Sequence, residues 1–375
     1  MVLNMRANDV LGIIYSNAYD SVLSELTNAR TMGSVPFGGR YRLIDFALSN
    51  LVNCGINKVG IITKSNYQSL MDHIGTGKPW DLSRKRGGMF LLPPFNSSHT
   101  GMYRDRIQAL MGIMRFLEQS KEEYIILMDT NVVCNFDLKD MCRAHTESGA
   151  DITIAYHHGR APHLDDLMTF TFDEGQKVSK IALDPKTSKP VNYAMNIILI
   201  SKALLIRLIN NAVSLNQDSF VRDVIQHNLK RLNIYGYEVK GFTSVFDSLQ
   251  SYYDISMSLL DPANCQELFT RERPVYTKVR DDMPAIYGLG STVKNSLVAD
   301  GCSIDGEVEN CILFRGVQIG KDAVVRNSII MQGSYISEGV HLDCVIADKS
   351  VVVRPHKTVT GTNTYPVYIG KGIVI

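Results

Sequence analysis

Short apolar runs alternate with helical periodicity through the first two thirds of the chain. Five runs have the length and composition of buried strands, and they lie at residues 10–15, 58–63, 123–128, 151–156 and 194–200. Between them, apolar residues recur every three or four positions, as at Leu43, Ala47 and Leu51. Strands that alternate with helices indicate an α/β fold built on a parallel, doubly wound sheet.

Other segments of this part depart from the simple alternation. The pattern of residues 169–183 predicts a hairpin, and those of residues 220–229 and 248–260 predict amphipathic helices that complete the domain. Residues 78–100 are rich in Gly, Pro, Ser and Asn. That composition predicts a long surface loop, which is uncommon inside a compact domain and often functional.

The pattern changes after residue 261. Proline and charge mark a linker over residues 263–290, between an α/β domain of residues 1–262 and a second domain of residues 291–375. In the second domain, aliphatic residues recur every five to six positions with glycines between them. A six-residue repeat predicts a parallel β-helix, in which each repeat forms one flat side of a coil. A sandwich of short strands is the alternative, but its turns would fall about every 8–12 residues.

Composition and charge exclude several classes of function. The 375 residues carry a formal net charge of +1, so no strong field points to nucleic acid. No apolar run approaches the roughly 18 residues of a membrane span, and the N-terminus lacks a signal-peptide layout. Seven cysteines without a CxxC pair predict neither a zinc site nor a disulfide framework. We expect a cytoplasmic protein that binds neither nucleic acid nor a membrane.

Ligands of a doubly wound sheet bind beyond the carboxyl ends of its strands. The loop after the first strand contains no glycine, and its tyrosines and Asp20 would fill or repel a phosphate site. Asp129 directly follows a strand. It could hold Mg²⁺ through a carboxylate oxygen, or it could simply cap the next loop. No second carboxylate is identifiable by spacing.

One segment carries a specific resemblance. Residues 35–50, VPFGGRYRLIDFALSN, contain a Pro-Phe-Gly-Gly turn that leads into a helix. They closely resemble the signature of the ADP-glucose pyrophosphorylases (glucose-1-phosphate adenylyltransferases), and the likeness extends over nearly the whole chain. It implies a Rossmann-like nucleotide-diphospho-sugar transferase domain followed by a left-handed parallel β-helix. It also implies a tetramer under metabolite control that makes ADP-glucose from glucose 1-phosphate and ATP.

The functional residues of that family are only partly present. By resemblance, Arg30 and Asp129 are remnants of the catalytic site, Asp129 being one of two metal-binding aspartates. The glycine-rich triphosphate loop is missing, and Met32 stands where the family has lysine. The second metal aspartate falls on Ser219, with Asp218 one position away.

Two further motifs are changed. The family's Gly-Thr-Ala-Asp-Ala, which lets the nucleotide approach the backbone, corresponds to Met-Tyr-Arg-Asp-Arg at residues 102–106. The methionine and tyrosine there should obstruct the base. The lysine that neutralises the sugar phosphate has no counterpart in Leu183-Asp184-Pro185.

The chain retains the fold signature of the family but lacks several of its catalytic residues. In this it resembles the GlgD-type branch of the family, whose members are regulatory, non-catalytic subunits. The implied partner is the catalytic GlgC subunit in a heterotetramer, with a homo-oligomer when the chain is alone. No cofactor is required, and Mg²⁺ would serve only the catalytic partner. Arg40, Arg42 and Arg354 are the candidates for a pocket that binds an anionic metabolite effector, because arginine suits phosphate geometry. They are equally compatible with a structural role.

Two other functions stay open at this point. A working nucleotidyltransferase with weak or altered activity would need its ligands to enter the changed site. An acyltransferase, an activity that parallel β-helices often carry, would need a catalytic histidine from His341 or His356.

Overall fold

The computed structural model describes residues 5–94, 103, 105–184, 187 and 189–375 of the chain. The strands before the second domain are β1 (Val10–Tyr15), β2 (Pro36–Phe37), β3 (Tyr41–Arg42), β4 (Lys58–Ile62), β5 (Gly88–Leu92), β6 (Tyr124–Asp129), β7 (Val132–Cys134), β8 (Ile152–Gly159), β9 (Met168–Phe172), β10 (Val178–Leu183), β11 (Val191–Ser201), β12 (Ile234–Glu238) and β13 (Thr243–Val245). The α-helices are α1 (Ser24–Thr27), α2 (Leu43–Cys54), α3 (Gln68–Ile74), α4 (Arg106–Gly112), α5 (Met114–Gln119), α6 (Leu138–Ser148), α7 (Lys202–Ser214), α8 (Leu249–Met257) and α9 (Pro262–Leu268). None of the helices in these described ranges is long and apolar enough to cross a membrane.

Nine of the described strands form one sheet. Its path runs β10-β9-β11-β6-β1-β4-β5, and β8 pairs with both β11 and β12. Strands β6, β1, β4 and β5 are parallel, whereas β11 is antiparallel to β6. Nearly every residue of β1 and β6 is buried, because helices cover both faces of the sheet. The predicted doubly wound α/β domain is confirmed.

Two predicted segments of the first domain differ from the structure. The composition of residues 78–100 predicts a surface loop, but the segment contributes β5 to the edge of the sheet beside β4. The apolar residues of β5 pack against the main core. The prediction missed this strand because it relied on the Gly and Pro content of the whole segment. Residues 95–100 of the predicted loop lie outside the described residues. The predicted helix at residues 220–229 is a π-helical turn over Phe220–Gln226, a form that often marks functional positions.

The C-terminal part forms a parallel β-helix, and all of its residues are described. Its strands are β14 (Ile286–Tyr287), β15 (Thr292–Lys294), β16 (Leu297–Val298), β17 (Ser303–Ile304), β18 (Glu307–Glu309), β19 (Ile312–Leu313), β20 (Gln318–Ile319), β21 (Val324–Arg326), β22 (Ile329–Ile330), β23 (Tyr335–Ile336), β24 (His341–Asp343), β25 (Val345–Ala347), β26 (Val352–Val353), β27 (Thr358–Thr360) and β28 (Val367–Ile369). Every third strand joins the same sheet, giving three five-stranded parallel sheets. Ile304, Ile319 and Ile336 stack inside the coil. The predicted left-handed β-helix is confirmed.

One corner of the coil carries a ladder of asparagines that the hexapeptide pattern alone does not predict. Asn295, Asn310 and Asn327 have φ of 40°, 52° and 46°, a left-handed conformation that asparagine tolerates better than most residues. Asn295 donates to Asn310 at 2.7 Å, Asn310 to Asn327 at 3.2 Å, and Asn327 to Asp343 at 2.8 Å. The side chains therefore tie successive coils together where the backbone turns.

One side of the β-helix packs against the first domain. The outward side chains of β19, β22 and β25, Ile312, Ile329 and Ile346, are fully buried. They share one hydrophobic cluster with Phe37 and Phe46 of the first domain. The two domains therefore have a common core.

The Pro-Phe-Gly-Gly turn lies in this common core. Gly38 and Gly39 have φ of 58° and 82°. These values lie in the left-handed region, which glycine adopts more readily than other residues. The Phe37 ring packs edge-on against Phe46, with centroids 5.6 Å apart. The Tyr252 hydroxyl donates to the Pro36 carbonyl at 2.6 Å. The signature segment thus supports the contact between the domains.

A buried ion pair joins the two domains beside this core. Arg30 Nη2 lies 2.8 Å from Asp348 Oδ2, and both side chains are 2% exposed. The Tyr368 hydroxyl donates to the same carboxylate oxygen at 3.0 Å. Arg30, which the family resemblance implies as a remnant of the catalytic site, is therefore placed in the domain interface.

The Arg30–Asp348 pair should contribute strongly to stability. Replacing Arg30 by alanine leaves Asp348 buried without its counter-charge, so we expect Arg30→Ala to lower the free energy of unfolding by about 3–5 kcal/mol. Urea denaturation followed by circular dichroism measures this loss. The control is Arg326→Ala, because Arg326 is half exposed and lies 3.8 Å from Glu307; it should lose less than about 1 kcal/mol. Equal losses in the two variants would contradict the assignment.

Candidate functional site

The carboxyl ends of β1, β4 and β6 meet at one edge of the sheet, where a doubly wound domain binds its ligand. We call this edge the crevice. Tyr15 ends β1 and Asp129 ends β6, and the two residues are partners in the register of these strands. The crevice is therefore lined by the side chains that follow Tyr15 and surround Asp129.

An arginine of the same chain binds the Asp129 carboxylate. Arg106 Nη2 lies 2.5 Å from Asp129 Oδ2, and the side chains are 14% and 0% exposed. The Arg106 guanidinium also lies over the Tyr15 ring, 4.7 Å from its centroid, and over the Phe220 ring at 5.6 Å. Charge and two aromatic faces thus hold it in place. The sequence patterns did not identify Arg106, although an arginine where the family motif ends in alanine was a usable signal.

The pKa values of Arg106, Asp129 and Tyr15 are shifted by burial and by the charges of one another. Burial would lower the pKa of Arg106, but the Asp129 carboxylate and the neighbouring tyrosines raise it above its ordinary value, so the guanidinium keeps its charge. Burial raises the pKa of Asp129, and Arg106 opposes that rise. Burial also raises the pKa of the Tyr15 hydroxyl, which has no hydrogen-bond partner among the described residues.

The loop after β1 is closed by its own side chains. The Asp20 carboxylate accepts a hydrogen bond from the Met32 amide at 2.7 Å and another from Asn17 Nδ2 at 2.6 Å. Burial raises the pKa of Asp20 to about 6. Asn196 donates to the Tyr19 hydroxyl at 3.0 Å. A phosphate requires free backbone N–H groups and would meet a carboxylate here. These contacts agree with the expectation from the sequence that this loop holds no phosphate, which stays a prediction.

The crevice does not fit the Mg²⁺ that the family resemblance implies. Oδ2 of Asp129 is already paired with Arg106, whose positive charge would repel a second cation, although the buried Oδ1 has no hydrogen-bond partner among the described residues. Asp218 is bonded to Arg222 at 2.9 Å, with both side chains exposed. Among the residues that the structure describes, no group of three or more His, Cys, Asp or Glu side chains could hold a metal ion.

The remaining changed motifs are only partly described. Tyr103, predicted to obstruct the base, is half-buried, and the Lys64 ammonium lies 5.7 Å from its ring centroid. Met102 and Pro185 lie outside the described residues. Asp184, in place of the sugar-phosphate loop, accepts a hydrogen bond from the Leu167 amide at 3.0 Å. That carboxylate is therefore bonded to the backbone, and its negative charge cannot neutralise a sugar phosphate.

A pocket of about 250 Å³ between the two domains is rich in positive charge. We call it the cation pocket. Its lining among the described residues includes seven cationic side chains: Arg40, Arg42, Lys278, Arg280, Arg315, Lys349 and Lys371. Two of the three predicted effector residues, Arg40 and Arg42, are brought together here. Arg354 is exposed on a late coil of the β-helix and does not line the pocket.

The cation pocket has fewer carboxylates around it than cationic side chains: Asp72 is among its described lining residues, and Asp282 lies 3.9 Å from Arg315 Nε. Arg40 lies 3.5 Å from Asp300, and Arg315 Nε lies 3.9 Å from the same carboxylate. Burial lowers the pKa of Arg42 to about 10. Burial, with Arg42 and Arg30 nearby, lowers the pKa of Lys349 to about 6. Burial is the larger cause of the lowered pKa of Lys349 and the neighbouring arginines add to it, so a bound anion would favour the charged form of this lysine.

Comparison with known proteins accounts for both parts of the chain. The family model described as nucleotidyl transferase matches residues 12–260, and the one described as GlmU-like, C-terminal hexapeptide matches residues 286–365. The chain is 36% identical to the glycogen biosynthesis protein GlgD of Bacillus subtilis, over 99% of this chain and 98% of that protein. It is 38% identical to the protein of the same name from Geobacillus stearothermophilus, over 98% and 97%.

A second group of relatives carries an enzyme name. The chain is 32% identical to the glucose-1-phosphate adenylyltransferase of Clostridium acetobutylicum, over 86% of each chain. Both groups of matches extend across the sheet domain and into the β-helix. The chain therefore belongs to the nucleotidyl transferase family, alongside the GlgD proteins and the glucose-1-phosphate adenylyltransferases.

Proposed function

We propose that this chain is a regulatory, non-catalytic subunit in glycogen biosynthesis, which modulates a catalytic glucose-1-phosphate adenylyltransferase. The observation that carries the proposal is the Arg106–Asp129 pair, which fills the place where substrate phosphates and metal would meet. The GlgD relatives, named for glycogen biosynthesis, match almost the entire chain. The adenylyltransferase relatives indicate the kind of partner.

Nucleotidyl transfer depends on positioning the phosphates and on neutralising their charge with metal ions, lysine and arginine. In this chain Asp129 is bound to Arg106, and the loop after β1 contains the Asp20 carboxylate, which accepts hydrogen bonds from Met32 and Asn17. Met32 stands in place of a lysine. Losing one preorganised charge-stabilising group typically lowers a rate by about 10²–10³. Several such losses together leave no measurable turnover.

The proposed assembly is a heterotetramer with the catalytic GlgC subunit in the cytoplasm, and a homo-oligomer when the chain is alone. In this assembly the chain needs no cofactor, and Mg²⁺ acts in the catalytic partner. Exposed apolar side chains cluster where the first coil of the β-helix begins, at Val279, Met283, Ile286 and Leu289. An end coil of a solenoid needs a cap or a partner, so this cluster is a candidate contact.

The proposed effector is an anionic metabolite bound in the cation pocket. Arg40 and Arg42 come from the first domain, and Arg315 and Lys349 come from the β-helix. An anion between them would contact both domains. It would regulate the assembly to the extent that it binds one arrangement of the domains more tightly than another.

Catalysis is tested with the purified full-length chain. With ATP, glucose 1-phosphate and Mg²⁺ we expect no ADP-glucose above the protein-free blank. Addition of the chain to its catalytic partner should change the partner's kcat or its response to effectors. Turnover by the chain alone at the level of a catalytic relative, lost in Asp129→Asn, would instead favour an active nucleotidyltransferase with altered activity.

The cation pocket is tested by calorimetry with pyrophosphate as the probe. A charged hydrogen bond contributes about 1.5–3 kcal/mol, so Arg40→Ala should weaken binding by roughly 10- to 100-fold. Arg354→Ala is the matched control, because it removes an exposed arginine that does not line the pocket. An equal loss in both variants, or no binding by the unmodified chain, would contradict the proposed site.

The ionisation of Lys349 makes anion binding depend on pH. Its pKa of about 6 means that the free pocket holds a neutral lysine at pH 8, and pairing with an anion requires a proton to be taken up. Sulfate keeps a constant charge in this range and is the suitable probe. Its affinity should fall as pH rises from 6 to 8, by up to about tenfold per pH unit. The dependence should disappear in Lys349→Met; a flat profile in the unmodified chain would refute this role.

A further inference from the structure

We propose that Arg106 is a built-in counter-cation that takes the place of a divalent metal ion at Asp129 and excludes such ions from the crevice. The proposal concerns how the crevice is filled. It therefore holds or fails separately from the role of the chain in an assembly, because metal binding can be measured without any partner.

The fold fixes the position of Arg106. It is the first residue of α4, and the preceding Asp105 caps this helix by accepting a hydrogen bond from the Gln108 amide at 2.8 Å. The helix start therefore sets where the arginine leaves the backbone. Its guanidinium ends 2.5 Å from the Asp129 carboxylate at the end of β6. Two independent elements, a capped helix and a buried strand, thus bring the charges together.

The surroundings of Arg106 suit a guanidinium better than a metal ion. The rings of Tyr15 and Phe220 lie 4.7 and 5.6 Å from the guanidinium carbon. Aromatic faces attract a weakly hydrated, planar cation. A divalent ion such as Mg²⁺ or Mn²⁺ requires about six oxygen ligands in octahedral geometry, whereas the guanidinium here contacts one carboxylate and two aromatic rings. The crevice therefore holds the guanidinium of Arg106 at the position where a metal site would require a hydrated ion.

If Arg106 replaces a metal ion at Asp129, changing the charge of residue 106 should change the binding of metal ions. With Arg106 in place, the buried carboxylate is neutralised and an added cation would meet a positive charge. Reversing that charge with Arg106→Glu would place two carboxylates at the end of β6. Carboxylate oxygens are the ligands that hard divalent cations prefer, so this variant should gain a metal site that the unmodified chain lacks.

The test measures Mn²⁺ binding by electron paramagnetic resonance of the free ion. The unmodified chain should show no uptake that depends on Asp129, and Arg106→Lys, which keeps a cation there, should behave in the same way. Arg106→Glu should bind about one Mn²⁺ with a dissociation constant on the order of 10⁻⁴ to 10⁻³ M. Combining it with Asp129→Asn should remove that uptake. Arg115→Glu reverses the charge of an exposed arginine on α5 and is the matched control.

Thermal denaturation supplies a second readout. Mn²⁺ should raise the Tm of Arg106→Glu, because it relieves the repulsion between the two carboxylates, and should leave the Tm of the unmodified chain and of Arg115→Glu unchanged. If Arg106→Glu does not fold, Arg106→Gln, which removes the charge without adding a carboxylate, should show weaker uptake that still requires Asp129. The proposal is overturned if the unmodified chain binds Mn²⁺ in a way that Asp129→Asn abolishes. It is equally overturned if a folded Arg106 variant without the positive charge takes up no more Mn²⁺ than Arg115→Glu.

Discussion

The contact between one side of the β-helix and the aromatic cluster of the first domain is the interaction on which the rest of the structure depends. Ile312, Ile329 and Ile346 are fully buried there, and burying such a side chain contributes about 1.5–3 kcal/mol. The same contact brings Arg30 to Asp348 and places the arginines of the signature segment opposite those of the β-helix. Without it, neither the interdomain ion pair nor the cation pocket would exist.

Features with a regular period were predictable from the sequence. The apolar runs of β1 and β6 are continuous because both faces of their strands are buried, and the repeat of aliphatic residues follows the flat sides of the coil. The lack of a glycine-rich loop after β1 is visible in the sequence itself, because tyrosines and an aspartate stand there. Strand β5 was not predictable. Its few apolar residues lie in a segment rich in glycine and proline, and they form a strand by pairing with the edge of β4.

The candidate sites depended on distances that no local pattern contains. Arg106 is 23 positions from Asp129, and only the folded chain, which brings the start of α4 to the end of β6, shows that they form a pair. The cation pocket draws side chains from segments more than 200 positions apart, so Lys278, Arg280 and Lys349 could not be grouped with Arg40 by spacing. Arg354 was predicted to join Arg40 and Arg42 because of its residue type. In the structure it is exposed on the β-helix and does not line the pocket.

The shared core also has a consequence for synthesis of the chain on the ribosome. Phe37 and Phe46 are translated early, but Ile346, which covers the same cluster, follows some 300 positions later. At about 5–20 residues per second, the first domain would wait on the order of 15–60 s with an apolar face open to water. During this interval the nascent chain is a substrate for chaperones and a site for premature association. The last coils therefore shield the first domain as well as completing the second, and a chain that stops before residue 346 would leave the ribosome with that face uncovered.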